Sequence, residues 1–192
     1  SEQAMAERIF HQRIAAAFIK AFPNSTIQRA YTNNPTLAVE TPLGNIVTDL
    51  VVRTADGQVF FIEAESGKYD LKRLKEKMDK YLASRSEKVY FVTENKTGQT
   101  WNHLVSWINE RKLIRVEGIP DRSDLQVWHT TQDLLQRHGP AGNIWRILTF
   151  LEERNRELQP ISTTPQAAAQ VSKLPLPLST RSKEIVQRLH QI

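Results

Sequence analysis

Two apolar runs carry carboxylates where a plain strand would carry none: Ile46-Val47-Thr48-Asp49-Leu50-Val51-Val52 and Val59-Phe60-Phe61-Ile62-Glu63-Ala64-Glu65. Acids converging from packed strands repel one another unless a cation or several hydrogen-bond donors hold them. Asp49, Glu63 and Glu65 are therefore candidate ligands for a hard divalent ion. Residues two apart on a strand point the same way, about 6.8 Å along the chain, so Glu63 and Glu65 can serve one small site. Magnesium, or manganese in its stead, takes oxygen ligands in octahedral geometry and keeps several waters. One such water, activated and aimed in line at phosphorus, is the chemistry of a metal-dependent nuclease.

That chemistry depends on the turn between the runs. If Ala55-Asp56-Gly57 form a three-residue loop, Thr54 faces Gln58 and Asp49 falls opposite Glu63, with Gly57 in the left-handed position that such a loop requires. A two-residue Asp56-Gly57 loop would pair Asp49 with Ala64 and turn the aspartate to the other face. The three-residue register is the one expected here.

The surrounding elements follow from periodicity. Met5, Ile9, Ile14, Ala17, Phe18, Ala21 and Phe22 predict a helix over 4–22, stopped by Pro23-Asn24. A first strand is expected at about 28–40, then strands 46–53 and 58–65. Leu71, Leu74, Met78 and Leu82 mark the buried side of a helix over 68–85. Val89-Tyr90-Phe91-Val92 reads as a strand buried on both faces. A helix over 99–112 carries Trp101, Leu104, Val105, Trp107 and Ile108, and strands are expected near 113–116 and at 125–129. Thr130 with Asp133 resembles a capping box for a helix to His138, and a last core helix is expected over 142–158. Beyond it lie a Pro-, Ser- and Ala-rich linker, 159–179, and a short basic amphipathic helix, 180–192. One α/β domain thus occupies 1–158.

Composition narrows the classes. The chain has 192 residues, enough for one well-buried domain with a tail, and its net charge of +5 suits a polyanionic partner. Cysteine is absent, which removes disulfides, thiolate zinc sites and cysteine nucleophiles, and fits a reducing cytoplasm. The five histidines form no close pair at ligand spacing, and His103 and His129 read as structural. No apolar run approaches a membrane span. No Gly-x-x-x-x-Gly-Lys loop or Ser/His/Asp framework is visible, which argues against an NTPase or serine hydrolase. The chain opens on Ser1 rather than Met, leaving room for an upstream domain.

The order helix, three-stranded antiparallel meander, helix, strand, helix, strand resembles the restriction-endonuclease-like core. Asp49 followed by Glu63-Ala64-Glu65 resembles the Asp…(Asp/Glu)-x-Lys motif of the PD-(D/E)xK nuclease superfamily. More narrowly, the stretch from Asp49 through FFIEAESGKYDLKRLKEKMDKYLA resembles the replication-relaxation family of plasmid and mobile-element proteins, over roughly residues 8–95. The resemblance implies DNA processing in plasmid replication or mobilisation as a hydrolase. It makes DNA the partner, with a relaxase or replication protein beside it, and magnesium the cofactor. Glu65 stands where the superfamily has lysine, the group that positions the attacking water; replication-relaxation proteins carry an acid at this place.

The helix over 68–85 could return the cation. Among Lys68, Lys72, Lys75 and Lys77, the favoured group is Lys77, which with Tyr81 forms a Lys-x-x-x-Tyr pair one turn apart. Glu7 is a candidate additional acid from the first helix. The same helix carries seven basic residues against three acids, a net +4, and Lys68, Lys72, Arg73, Lys75 and Tyr81 are the candidate DNA contacts. A solvated helix face accounts for such a run equally. Ion pairs to Lys68, Lys72 or Arg53 would likewise account for the three acids. A catalytically inactive module binding DNA or a relaxase through the same fold is the alternative to a nuclease or nickase. Trp101, Trp107 and Trp145 read as core, the last within the final helix.

Overall fold

The structure, a computed structural model, describes residues 1–29, 38–66, 70–94, 98–114, 117, 119 and 124–150, and the backbone of 156–159. The chain opens with α1 (Glu2–Ala21), whose first turn is capped by Ser1 accepting from the Ala4 N–H at 3.4 Å. Two strands follow as β1 (Thr26–Arg29) and β2 (Ala38–Val39) where a single strand over 28–40 was expected. The expected strand 46–53 is also divided, into β3 (Ile46–Val47) and β4 (Leu50–Arg53). β2 and β3 form their own antiparallel ribbon, while β4 joins the main sheet. The break falls at Thr48-Asp49, whose side chains bond the Tyr81 phenol and the Ala64 N–H.

β5 (Val59–Glu65), α2 (Leu71–Ala83), β6 (Lys88–Thr93), α3 (Gly98–Leu113), β7 (Gln126–Thr131) and α4 (Gln132–His138) come next. Asp70 caps α2, accepting from the Arg73 N–H at 2.8 Å. α4 is capped by Thr131, one residue after the Thr130 of the expected capping box, with Leu134 N–H at 3.4 Å. α3 runs through Leu113, and Ile114 N–H still bonds Glu110. That excludes a strand beginning at 113, and residues 115–116 lie outside the described residues.

The predicted helix 142–158 is replaced by β8 (Trp145–Thr149) and β9 (Arg156–Gln159), so these C-terminal helical turns of the expected architecture are strands. Ile144, Trp145, Ile147 and Leu148 have helical spacing, yet a strand covered on both faces shows the same near-continuous apolar run. Trp145 and Ile147 enter one core cluster and Leu148 the other. The expected linker 159–179 and helix 180–192 fall outside the described residues, apart from the backbone of Gln159.

The result is a mixed α/β fold. Among the described residues, seven strands form one sheet in the order β1-β4-β5-β6-β7-β8-β9; β4 runs antiparallel to both its neighbours β1 and β5, β5, β6 and β7 are parallel, and the β7–β8 and β8–β9 pairings are antiparallel. α1 and α4 cover one face through Phe10, Ile14, Phe18 and Leu135. A train of rings links this face, with Phe18–Phe60 and Phe60–Tyr90 centroids 5.2 Å apart and Tyr90–Trp145 5.3 Å. α2 and α3 cover the other face through Leu74, Met78, Leu104 and Trp107. Each such buried side chain contributes roughly 1.5–3 kcal/mol by leaving water. Among the described residues, no helix is long and apolar enough to cross a membrane.

Candidate acidic site

The loop between β4 and β5 has the expected three residues. Leu50 pairs with Ile62 and Arg53 with Val59, Thr54 N–H bonds Gln58 O at 2.9 Å, and Gly57 has φ +88°. Extending that register one step past β4 sets Asp49 opposite Glu63. Asp56 does not belong to the site; it accepts from Thr54 and Gln58 and fastens the loop.

Glu63 and Glu65 face α2 and α3, because Phe60, Ile62 and Ala64 alternate into the opposite core. Glu63 is 2% exposed, and both its oxygens are taken. The Lys77 ammonium donates to Oε2 and the Tyr81 phenol to Oε1. Lys77 and Tyr81 stand one turn apart on α2, whose Leu74, Met78 and Leu82 pack against the sheet. This helix therefore presents an ammonium and a phenol to the same carboxylate. Tyr81 is fully buried, and with its proton given to Glu63 its oxygen accepts from the Thr48 hydroxyl at 3.0 Å. Asp49 accepts from the Ala64 N–H at 2.9 Å and hydrogen-bonds Glu63. It is only partly buried, and so forms the outward end of the acid pair. Glu65 is 3% exposed, beside Thr93 of β6.

Burial dominates the electrostatics. It pushes the Glu63 carboxyl up to about 7, with Lys77 opposing the rise and Asp49 adding to it. Asp49 is raised for the same first reason, opposed by Lys77 and the Ala64 N–H and reinforced by Glu65. Two adjoining carboxyls with raised affinities titrate as a coupled pair. Burial and the neighbouring Glu63 drive the Tyr81 phenol well up, keeping it a donor.

The structure thus unites Asp49, Glu63, Lys77 and Tyr81, with Glu65 on the same face. The ion pair of Glu63 is made by Lys77 rather than by Lys72 or Arg53. Tyr81 turns inward to Glu63, so it offers no surface to DNA. Lys72 and Arg73 are exposed in the first turns of α2, Lys75 pairs with Glu110 of α3, and Lys68 lies outside the described residues. Glu7 is exposed on α1, across the sheet from the acids, and its charge is felt by His11.

Sequence reasoning missed Thr48, whose hydroxyl supports Tyr81; His129, read as structural, is a second buried polar group on the same sheet face. Buried His129 of β7 meets Thr93 Oγ1 at 3.2 Å through Nε2, and its ring lies 5.4 Å from that of Trp101. A histidine beside Thr130 at the end of the apolar run Val127-Trp128 was the available signal. Trp101 and Trp107 are core, as expected, and Trp107 donates to Asp79 at 2.8 Å.

The donor set as arranged does not fit a hydrated magnesium ion. Both Glu63 oxygens are engaged by side chains of the same chain, and Lys77 already supplies the neutralising charge. Among the described residues, no group of three His, Cys, Asp or Glu side chains is disposed to hold a metal. No protein-family model, curated protein or solved structure matches this chain.

Proposed function

We propose that this chain is a DNA-processing domain of restriction-endonuclease-like fold with a nuclease-type acid site at Asp49, Glu63 and Glu65. The observation that carries the reading is the cation: Lys77 reaches Glu63 from α2 and supplies the positive charge missing at Glu65. The order α1, antiparallel β1-β4-β5, α2, parallel β6, α3, parallel β7 supports the same core. So does the position of the acids at the edge where the parallel strands end, the usual ligand side of such sheets.

In this reading Asp49 takes a proton from the attacking water and shares it with Glu63, whose affinity near 7 suits a general base at neutral pH. The water oxygen bonds to phosphorus as the bond to the leaving oxygen breaks. Lys77 offsets the negative charge gathering on the phosphoryl oxygens. A plasmid replication or mobilisation setting follows from the sequence resemblance alone.

A second reading is favoured by the saturation of Glu63: a module of the same fold that holds DNA or a relaxase without cutting. Incubation with single-stranded, duplex and supercoiled DNA, in chelator and with magnesium or manganese, separates the two. Cleavage that disappears in Asp49→Ala and Lys77→Ala supports the nuclease. DNA binding by a folded chain that leaves every DNA form intact selects the module.

A further inference from the structure

The paired strands align Glu63 of β5, Phe91 of β6, His129 of β7 and Arg146 of β8 in one row across the sheet. Three strand spacings separate the ends, about 14 Å. All but the last are buried; Arg146 is exposed, although Trp145 and Ile147 beside it are inside. Its guanidinium sits 5.5 Å from the ring centroid of Trp101, which in turn packs on His129. The indole therefore holds the fork over the sheet edge where β5, β6 and β7 end and α2 and α3 begin. No ion pair engages Arg146 among the described residues, and His129 beneath it is kept neutral by burial.

We infer that Arg146 is a positioning residue that grips a backbone phosphate of the DNA strand lying across this edge, about 14 Å from the acid site. The inference rests on the DNA reading above. A guanidinium presents paired donors that match two phosphate oxygens, and its place over the Trp101 ring restrains the side chain in advance. The first-turn amides of α3, a 16-residue helix, add positive potential at the same edge.

The test is fluorescence anisotropy of the full chain with labelled single-stranded and duplex DNA across a salt series. Arg146→Ala should weaken binding about tenfold and reduce the log–log salt slope by about one, on either DNA form. Arg146→Lys should recover the slope but only part of the affinity. Arg13→Ala, an exposed arginine of α1, should behave as the parent. Melting curves matched to the parent confirm that each variant is folded. If the parent binds DNA and Arg146→Ala keeps its affinity and slope, Arg146 has no such role while the DNA reading stands. If the parent binds neither form, both are overturned.

Discussion

Glu63 and His129 stand two strands apart on the same face of one sheet, both nearly removed from water. Burial drives their proton affinities in opposite directions: the carboxyl rises to about 7 and the imidazole falls to about 3. Desolvation is the leading cause at each position, because it penalises whichever form is charged. The two ends differ in their partners. Glu63 has Lys77 and Tyr81, whereas His129 has Thr93 on one nitrogen, and its Nδ1 is buried without a hydrogen bond among the described residues. A nearby ammonium keeps the acid within reach of ionisation at neutral pH. With no comparable carboxylate and Arg146 adjacent, the histidine stays neutral.

The sharpest way to break this contrast is Glu63→Ala. It leaves an ammonium and a phenol facing the site without their acceptor, and should cost about 3–5 kcal/mol in urea unfolding. Glu63→Gln, which keeps an acceptor for the phenol, should cost less. A loss under about 1 kcal/mol for the alanine variant would show that the acid end does not hold α2 to the sheet.

The pH dependence of stability tests the two directions together. Glu63 binds its proton more tightly folded than unfolded, so its contribution is complete below about pH 4.5 and is lost as pH rises through 7, about 3 kcal/mol in all. His129 runs the other way: its contribution is present above about pH 6.5 and is lost as pH falls toward 3. Denaturant melts across pH 3–8 should show Glu63→Gln removing the decline between 4.5 and 7. His129→Leu should remove the rise between 3 and 6.5. Unaltered profiles would mean that neither group titrates as its surroundings dictate.

The smallest effects concern the contacts between the helices that cover both ends. Asp79 of α2 accepts from buried Trp107 and makes a two-point contact with Arg111 of α3, at 2.6 and 2.8 Å. Asp79→Ala should cost about 2 kcal/mol by stranding those donors. The partly exposed Lys75–Glu110 pair joins the same helices, and Lys75→Ala should cost less than about 1 kcal/mol. Thermal melts of both variants rank them; equal losses would place the helix–helix clamp in surface charge rather than in the buried indole contact.

The three-residue Ala55-Asp56-Gly57 loop was the most legible feature that positions the site. Its length and the left-handed glycine are local matters, and they set the face of every residue on both strands. The Lys77–Tyr81 spacing was equally readable, since residues four apart share a helix face. The strand break at Thr48-Asp49 was not, because it depends on Tyr81 and Ala64 supplying distant hydrogen-bond partners. β8 was misread as helix because its periodicity suits either element, and only the open edge of β7 selects the strand.

The sequence by itself determined the hairpin register, the acids that share a face and the helix that carries the cation. Each follows from short-range backbone geometry and side-chain period. Only the tertiary structure decided that Lys77 meets Glu63, that Tyr81 turns inward, and that His129 lies in one row with Arg146. Those relations join elements distant in the chain, and they are set by strand order and by which groups burial forces to find a partner.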